Sequence, residues 1–182
     1  MVVYTKVNWA FWYCVWLLCM DIVCLSETWL NADVLDHEIL PTGYNVYRKD
    51  RPVKRGGGVL IAVNSSYSSC LIKLPTIWNE LEVIAVEIDP LLNDRKILIL
   101  YCYRPPNDND FIQAFKVLLN SVQLNKYFTT IILGNFNLPN ITWFDGAGFT
   151  KSSSSDEQIF VDLLKDLFLF QLMEIPTRRS NI

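Results

Sequence analysis

Short runs of apolar residues, each bounded by polar residues, glycine or proline, recur along the chain and predict β-strands. Several runs are apolar on both alternating faces, which is typical of strands that are covered on both sides. The run at 95–106 is the most continuous, which predicts a central strand, and Pro105 and Pro106 end it. The predicted strands are DIVCLSE (21–27), GYNVYRKD (43–50), GGGVLIAVN (56–64), SSCLIKL (68–74), LEVIAVEI (81–88), RKILILYCYRPP (95–106) and FTTIIL (128–133).

Two segments in the second half place apolar residues at helical spacing and predict amphipathic helices. Asp108 or Asn109 can cap the first helix, and Ser155 with Gln158 forms a predicted capping box at the start of the second. The apolar face of the first helix comprises Phe111, Phe115, Leu118, Leu119 and Val122. The buried face of the second comprises Ile159, Phe160, Leu163, Leu164 and Leu167.

Between the two helices lies the run TTIILGNFNLPNITW (129–143). Its strand is predicted to end in a glycine turn at 134–137, and a long loop is expected to cross 135–154. Many strands with two or three helices, without regular alternation of strand and helix, indicate a layered α/β sandwich.

Composition narrows the class of protein. The chain has 182 residues, which suits one domain, and 51% hydrophobic against 19% charged residues excludes a disordered chain. A net charge of -3 argues against nucleic-acid binding through the overall electrostatic field, although it is compatible with binding through a local basic patch. Five cysteines without a CxxC pair indicate reduced thiols in an intracellular protein, nuclear or cytoplasmic. The single histidine, His37, excludes a zinc cluster and is expected at the surface.

The N-terminal stretch VNWAFWYCVWLLCM (7–20) is almost wholly apolar and is closed by Asp21. It is short for a membrane span and is followed by no small-residue cleavage site, so a membrane partner is not favoured. Three interpretations stay open: a packing segment, a signal-like segment that would imply secretion, and a membrane-associated segment. We therefore expect an atypical apolar segment at 1–20 and one domain at 21–182.

Polar side chains follow several of the predicted strands. Open α/β sheets place ligands at strand ends, so these residues form a candidate phosphodiester site. Each also has an ordinary structural explanation: Glu27 as a solvated carboxylate, Tyr103 as a packed aromatic, and the asparagines as turn formers. The set comprises Glu27, Tyr103, Arg104, Asn135, Asn137, Thr177 and Arg178.

Five motifs in order, DIVCLSETWL, RGGGVLIAV, YRPPN, ILGNFNLPNITW and PTR, resemble the endonuclease domain of non-LTR (LINE-type) retrotransposons. That domain belongs to the endonuclease/exonuclease/phosphatase superfamily, and the resemblance covers the chain from about Asp21 onward. It implies a four-layer sandwich of two mixed β-sheets flanked by helices. It also implies Mg²⁺- or Mn²⁺-dependent hydrolysis of phosphodiesters, with DNA as partner and a link to reverse transcription. No stable protein partner is indicated.

The resemblance assigns roles residue by residue. Glu27 matches the metal-ligand glutamate, and Tyr103 matches the tyrosine near the scissile phosphate. Asn137 matches the asparagine that helps to hold the transition state, and Thr177 matches a threonine of the site. The nucleic-acid contacts that we expect come from Arg104 and from the basic run RKDRPVKR (48–55), which includes Lys54 and Arg55. A solvated turn explains that basic run equally well.

The chain also departs from the family. Asn135 stands where the family has the aspartate that handles the attacking water, and an amide cannot take a proton. The first-strand asparagine that helps to bind metal is not recognisable, and the family's later aspartate and histidine motifs do not occur before Ile182. We therefore expect a domain that is incomplete at both ends, binds metal weakly, and is weakly active or inactive. The alternative is a non-catalytic module that binds nucleic acid or a partner through the old substrate face.

Overall fold

The computed structural model describes residues 2–4, 20–51, 56–75, 80–89, 95–106, 108–151 and 155–173. The chain divides into two compact units: residues 1–106 with 122–136, and residues 107–121 with 137–182. The strands and helices, in chain order, are β1 (Val2–Tyr4), β2 (Ile22–Ser26), α1 (Asp36–Ile39), β3 (Tyr44–Lys49), β4 (Val59–Asn64), β5 (Ser68–Leu71), β6 (Glu82–Asp89), β7 (Ile97–Tyr103), α2 (Phe111–Ser121), a 3₁₀ turn (Leu124–Lys126), β8 (Thr129–Asn135), β9 (Thr142–Phe144), β10 (Ala147–Phe149) and α3 (Asp156–Asp166).

Two mixed sheets form the first unit. The first sheet has the order β1-β2-β4-β3, with β1 parallel to β2 and the other pairs antiparallel. The second sheet has the order β5-β6-β7-β8, with β7 parallel to β8 and the other pairs antiparallel. The predicted sandwich of two mixed sheets is confirmed, and β7 lies inside its sheet, as the continuous apolar run indicated.

The core of this unit lies between the two sheets. Cys24 and Ile61 from the first sheet pack in one cluster with Val86, Ile99 and Tyr101 from the second. Each large aliphatic side chain buried in this way contributes about 1.5–3 kcal/mol relative to an exposed one. The opposite face of the first sheet is covered by residues of the α1 region, where Ile39 and Leu40 are buried. Apolar residues on alternate strand positions thus fill both sides of the first sheet.

The second unit contains α2, the β9–β10 hairpin and α3, with α3 in contact with both α2 and β10. Asp108 caps α2, because its Oδ1 accepts from the backbone N–H of Phe111 at 3.1 Å. Ser155 caps α3, because its Oγ accepts from the backbone N–H of Gln158 at 3.4 Å. Asp108 and Ser155 are thus confirmed as caps, whereas the Gln158 side chain donates to Asp162 at 2.7 Å, so only the Ser155 half of the predicted capping box is observed.

The predicted helix faces are confirmed in their central residues. In α2 the predicted face is buried through Leu119, whereas Val122 follows the helix and is half-buried. In α3 the structure buries Phe160 and Leu163 as predicted. It also buries Val161, which the prediction missed, and leaves the other predicted positions half-buried.

Two predictions about the segment after β7 were wrong. Gly134 and Asn135 belong to β8 and pair with β7, so the predicted glycine turn does not begin at Gly134. The predicted long loop contains the β9–β10 hairpin, whose two loop residues, Asp145 and Gly146, have φ of 49° and 73°. Two positive φ values fit a tight hairpin turn that matches strand twist, and Asp-Gly is its usual sequence signal.

The first unit also contains two elements that were not predicted: the short helix α1 and the parallel strand β1. β1 joins the first sheet from residues that precede the expected domain start at 21. His37 is exposed, as predicted. Cys24 and Cys102 are buried free thiols, and burial raises the pKa of Cys24 to about 12.

The apolar stretch at 7–20 lies outside the described residues, except for Met20. In the part of the chain that the structure describes, no helix has the length and apolar character needed to cross a membrane.

Candidate active site

Three polar side chains meet at one edge of the second sheet. Tyr103 and Asn135 are the last residues of the parallel strands β7 and β8, and they are register partners. Glu82, the first residue of the antiparallel strand β6, is the partner of Tyr103 on its other side. The backbone N–H of Arg104 donates to the carbonyl of Asn135 at 2.9 Å, so the pairing continues just beyond the strand end. The sheet register alone therefore brings a carboxylate, a phenol and an amide together.

Glu27 reaches the same place from the other sheet. It follows β2 directly, and the Tyr103 hydroxyl donates a hydrogen bond to its carboxylate. Burial, this hydrogen bond, and the negative charges of Glu27 and Glu82 raise the pKa of Tyr103 to about 12. Tyr103 is only 6% exposed. The phenol is therefore a proton donor at neutral pH and not a base.

The raised pKa of Tyr103 predicts a loss of stability in alkali. A group whose pKa is raised on folding contributes stability that is present below its ordinary pKa, near 10, and is lost as pH rises toward about 12. We expect the urea midpoint of the wild type to fall more steeply between pH 10 and pH 12 than that of Tyr103→Phe, which lacks this titration. Equal falls in the two proteins would contradict the assignment.

A glycine segment, residues 56–58, fixes the backbone around Glu27. The N–H of Thr28 donates to the carbonyl of Gly58 at 3.4 Å, and the N–H of Trp29 donates to that of Gly57 at 3.0 Å. Glu27 and Trp29 both have left-handed backbone conformations, with φ of 53° and 56°. Such conformations cost about 1–3 kcal/mol each in residues other than glycine and cluster at functional sites. The glycine segment holds the two residues that directly follow Glu27, at a place where the backbone is strained.

Glu82 in turn holds the glycine segment. Its carboxylate accepts from the backbone N–H of Gly58 at 2.5 Å and from Nε of Arg51 at 2.8 Å, and it also pairs with Nη2 of Arg51. The residue is 8% exposed. Hydrogen bonds therefore link Glu82 through Gly58 to Thr28, the neighbour of Glu27.

The sequence interpretation missed Glu82, because it treated this position only as part of a covered strand face. The signal was present: a carboxylate shares that face with Ile84 and Val86. A buried carboxylate requires charged or hydrogen-bonding partners. Lys49 adds a second cation nearby, and its Nζ donates to the carbonyl of Leu81 at 2.6 Å. Burial lowers the pKa of Lys49, and the charge of Glu82 partly opposes that effect.

Of the remaining predicted site residues, the structure describes Arg104 and Asn137. Arg104 is buried, and its Nη1 donates to the carbonyl of Phe136 at 3.4 Å, so it braces the chain after β8. Asn137 has a φ of 48° and belongs to the second unit. The predicted site residues outside the described part are Thr177, Arg178, Lys54 and Arg55. Their predicted roles stay predictions.

The carboxylates at this edge of the sheet are candidate ligands for a divalent cation. Across the described residues, no three His, Cys, Asp or Glu side chains come together as a ligand set. Mg²⁺, however, keeps several waters and is often bound through one or two carboxylates together with substrate phosphates. Glu27 is half-buried at a strand end and fits that requirement, whereas Glu82 is occupied by Arg51 and Gly58.

The solved structures that this chain resembles include two endonucleases. The endonuclease domain of TRAS1, a telomere-specific non-LTR retrotransposon, superposes with a TM-score of 0.59 at 15% identity, covering 84% of this chain and 61% of that one. AP endonuclease LMAP from Leishmania major gives 0.58 at 16% identity, covering 86% and 60%. The human nocturnin catalytic domain gives 0.52 at 15% identity, covering 82% and 60%.

The chain spans about three fifths of the length of these structures. No protein-family model and no curated protein matches the sequence. At this level of identity the structural likeness establishes the fold. The chain has the DNase I-like fold, which is the fold that its sequence motifs predicted.

Proposed function

We propose that this chain is a DNA-binding domain that derives from a retrotransposon endonuclease and hydrolyses phosphodiesters weakly or not at all. One observation carries the proposal: Asn135 ends β8 as the register partner of Tyr103, whose hydroxyl bonds to Glu27. The resemblance places an aspartate at position 135. An amide therefore occupies the place where the reaction needs a group that accepts a proton from water.

The chemical consequence follows from the charge of the amide. Asn135 is neutral and has no basic oxygen, so it can orient a water molecule but cannot deprotonate it. General-base assistance is worth about 10²–10⁴-fold in rate. Tyr103 cannot replace it, because its raised pKa keeps the phenol protonated.

The residues that are present can still bind a phosphodiester. Mg²⁺ or Mn²⁺ would be held by the Glu27 carboxylate together with a phosphate oxygen, and the cation would supply charge stabilisation as a Lewis acid. Tyr103 orients the Glu27 carboxylate through its hydrogen bond. A single carboxylate holds such a cation weakly, so binding of Mg²⁺ is expected to depend on the nucleic acid.

The known structures support DNA as the substrate class. The neighbours include a retrotransposon endonuclease and an AP endonuclease. The former agrees with the five sequence motifs, and both names denote enzymes that cleave DNA. Derivation from a retrotransposon rests on the motifs and on this likeness together.

Nicking of supercoiled plasmid with Mg²⁺ tests the proposal. We expect the wild type to nick about 10²–10⁴-fold more slowly than the TRAS1 endonuclease domain assayed beside it, because the general base is missing. Glu27→Gln and an EDTA reaction are the matched controls. Nicking by the wild type at the rate of the TRAS1 domain, abolished by Glu27→Gln, would contradict the proposal.

The non-catalytic module is the second candidate, and the amide at position 135 favours it. DNA binding measured in EDTA distinguishes the two. A wild type that binds DNA but gives no nicking above the Glu27→Gln control is a binding module. A slow reaction that depends on Glu27 identifies a weakened enzyme.

A further inference from the structure

Trp29 lies two residues after Glu27, and its indole is 53% exposed. Its backbone is left-handed with φ of 56°, and its N–H donates to the carbonyl of Gly57 at 3.0 Å. The indole lies against Gly56: a Cβ on that glycine would be 3.6 Å from Cε2 and 3.7 Å from Nε1 of Trp29. A large aromatic side chain is therefore held in a fixed position with half of its surface in solvent.

A bulky residue at positive φ is strained, and the exposed half of the indole gains nothing from burial. The strain lies beside Glu27, on the glycine segment that Glu82 holds through Gly58. The same hydrogen-bonded segment thus positions both the carboxylate of the candidate site and the exposed aromatic ring.

Arg51 lies over Gly57 and is paired with Glu82. The chain has a net charge of -3, so its overall field does not attract a nucleic acid. The flat face of an indole supplies a contact to a nucleobase that does not depend on charge.

We propose that Trp29 is a stacking platform for an unpaired nucleobase, so that the substrate class is nucleic acid with a single-stranded or extruded nucleotide beside the phosphate at Glu27. This inference rests on the proposed function. Both faces of a base are covered inside a duplex, whereas an unpaired base offers a face to an aromatic side chain. The Cα atoms of Glu27 and Trp29 lie at most about 7 Å apart, so the platform stands beside the candidate site.

The test is fluorescence anisotropy in EDTA with two probes: a labelled twelve-nucleotide oligothymidine, and a blunt hairpin duplex whose loop is closed by a non-nucleotide linker. Trp29→Leu keeps an apolar side chain but removes the aromatic face. We expect it to weaken binding of the single strand about tenfold, which is within the range for the loss of one stacked base, and to weaken duplex binding less than about twofold. Trp29→Phe keeps a ring and should retain most of the affinity.

Phe128→Leu is the matched control. Phe128 is an exposed aromatic residue, 62% exposed, that directly precedes β8 and so lies at the opposite end of that strand from Asn135. The Phe128→Leu variant should bind both probes with the affinity of the wild type. The slope of affinity against salt should be unchanged by Trp29→Leu, since no phosphate contact is removed.

Three results would overturn the proposal that Trp29 is a stacking platform. Trp29→Leu could lose the same affinity for both probes, it could lose affinity for neither, or Phe128→Leu could lose as much affinity as Trp29→Leu. Absence of single-strand binding by the wild type would overturn it too. Because binding is measured without metal, these outcomes are independent of the rate of nicking. The proposed function fails instead if the wild type nicks plasmid at the rate of the TRAS1 domain.

Discussion

Gly134→Ala is expected to destabilise the protein by about 4 kcal/mol. Gly134 lies in β8 with φ of +149°, opposite Cys102 of the parallel strand β7. A Cβ there would lie 1.9 Å from the carbonyl oxygen of Cys102 and 2.9 Å from its Sγ. Backbone strain and overpacking cost about 1–3 kcal/mol each, and the clash with a carbonyl oxygen has no flexible side chain to relieve it. Urea unfolding followed by circular dichroism measures the loss.

Gly43→Ala separates the two causes. Gly43 also has a positive φ, of +107°, but a Cβ there would meet nothing within 4 Å. It should lose only about 1–2 kcal/mol, the part that backbone strain supplies. Similar losses in the two variants would mean that the close approach of β8 to Cys102 is not what requires glycine.

Glu82→Ala is expected to destabilise the protein by about 3 kcal/mol. The change leaves the Arg51 guanidinium and the Gly58 N–H without their acceptor. Removal of one partner from a buried pair typically costs about 3–5 kcal/mol, and solvent at the partly exposed Arg51 reduces the cost toward the lower figure. The pKa of Tyr103 should also fall, because the charge of Glu82 contributes to raising it.

Glu87→Ala is the matched control on the same strand. Glu87 pairs with Lys96, whose side chain is about half exposed, and such surface pairs add little to stability. Urea unfolding gives the difference in stability, and absorbance near 295 nm follows the phenol of Tyr103. Equal losses in the two variants, or an unchanged pKa in Glu82→Ala, would contradict the role of Glu82.

The strands of the sandwich could be predicted from the sequence because burial dictates their pattern. The run at β6 is apolar on both alternating faces, and the structure covers both. The β9–β10 hairpin was missed because its strands are short and its Asp145-Gly146 signal lies in a polar stretch. Gly134 was interpreted as a turn because glycine usually marks one. Here the reason for glycine is a carbonyl on the next strand, which local sequence does not reveal.

The candidate site was predictable to the extent that it depends on strand ends. Tyr103 and Asn135 end parallel neighbours, so their proximity follows from the sheet. The approach of Glu27 depends on how two separate sheets stack. The sequence suggested it only through the position of Glu27 at a strand end and through the family resemblance. Glu82 was missed because its importance arises from its partners, Arg51 and Gly58, which are 31 and 24 residues away in the chain.

The hydrogen bond from Tyr103 to Glu27 has a consequence for how the protein folds. The two residues belong to different sheets, and each sheet can pair its own strands without this bond. Contacts between residues so far apart in sequence form late, because closing the long intervening loop costs conformational entropy. A partly folded chain with both sheets formed but not docked would lack the hydrogen bond to Glu27, so the pKa of Tyr103 would lie closer to its ordinary value than in the folded protein. The ionisation of this one tyrosine therefore reports whether the sheets have docked, and can time that step during refolding.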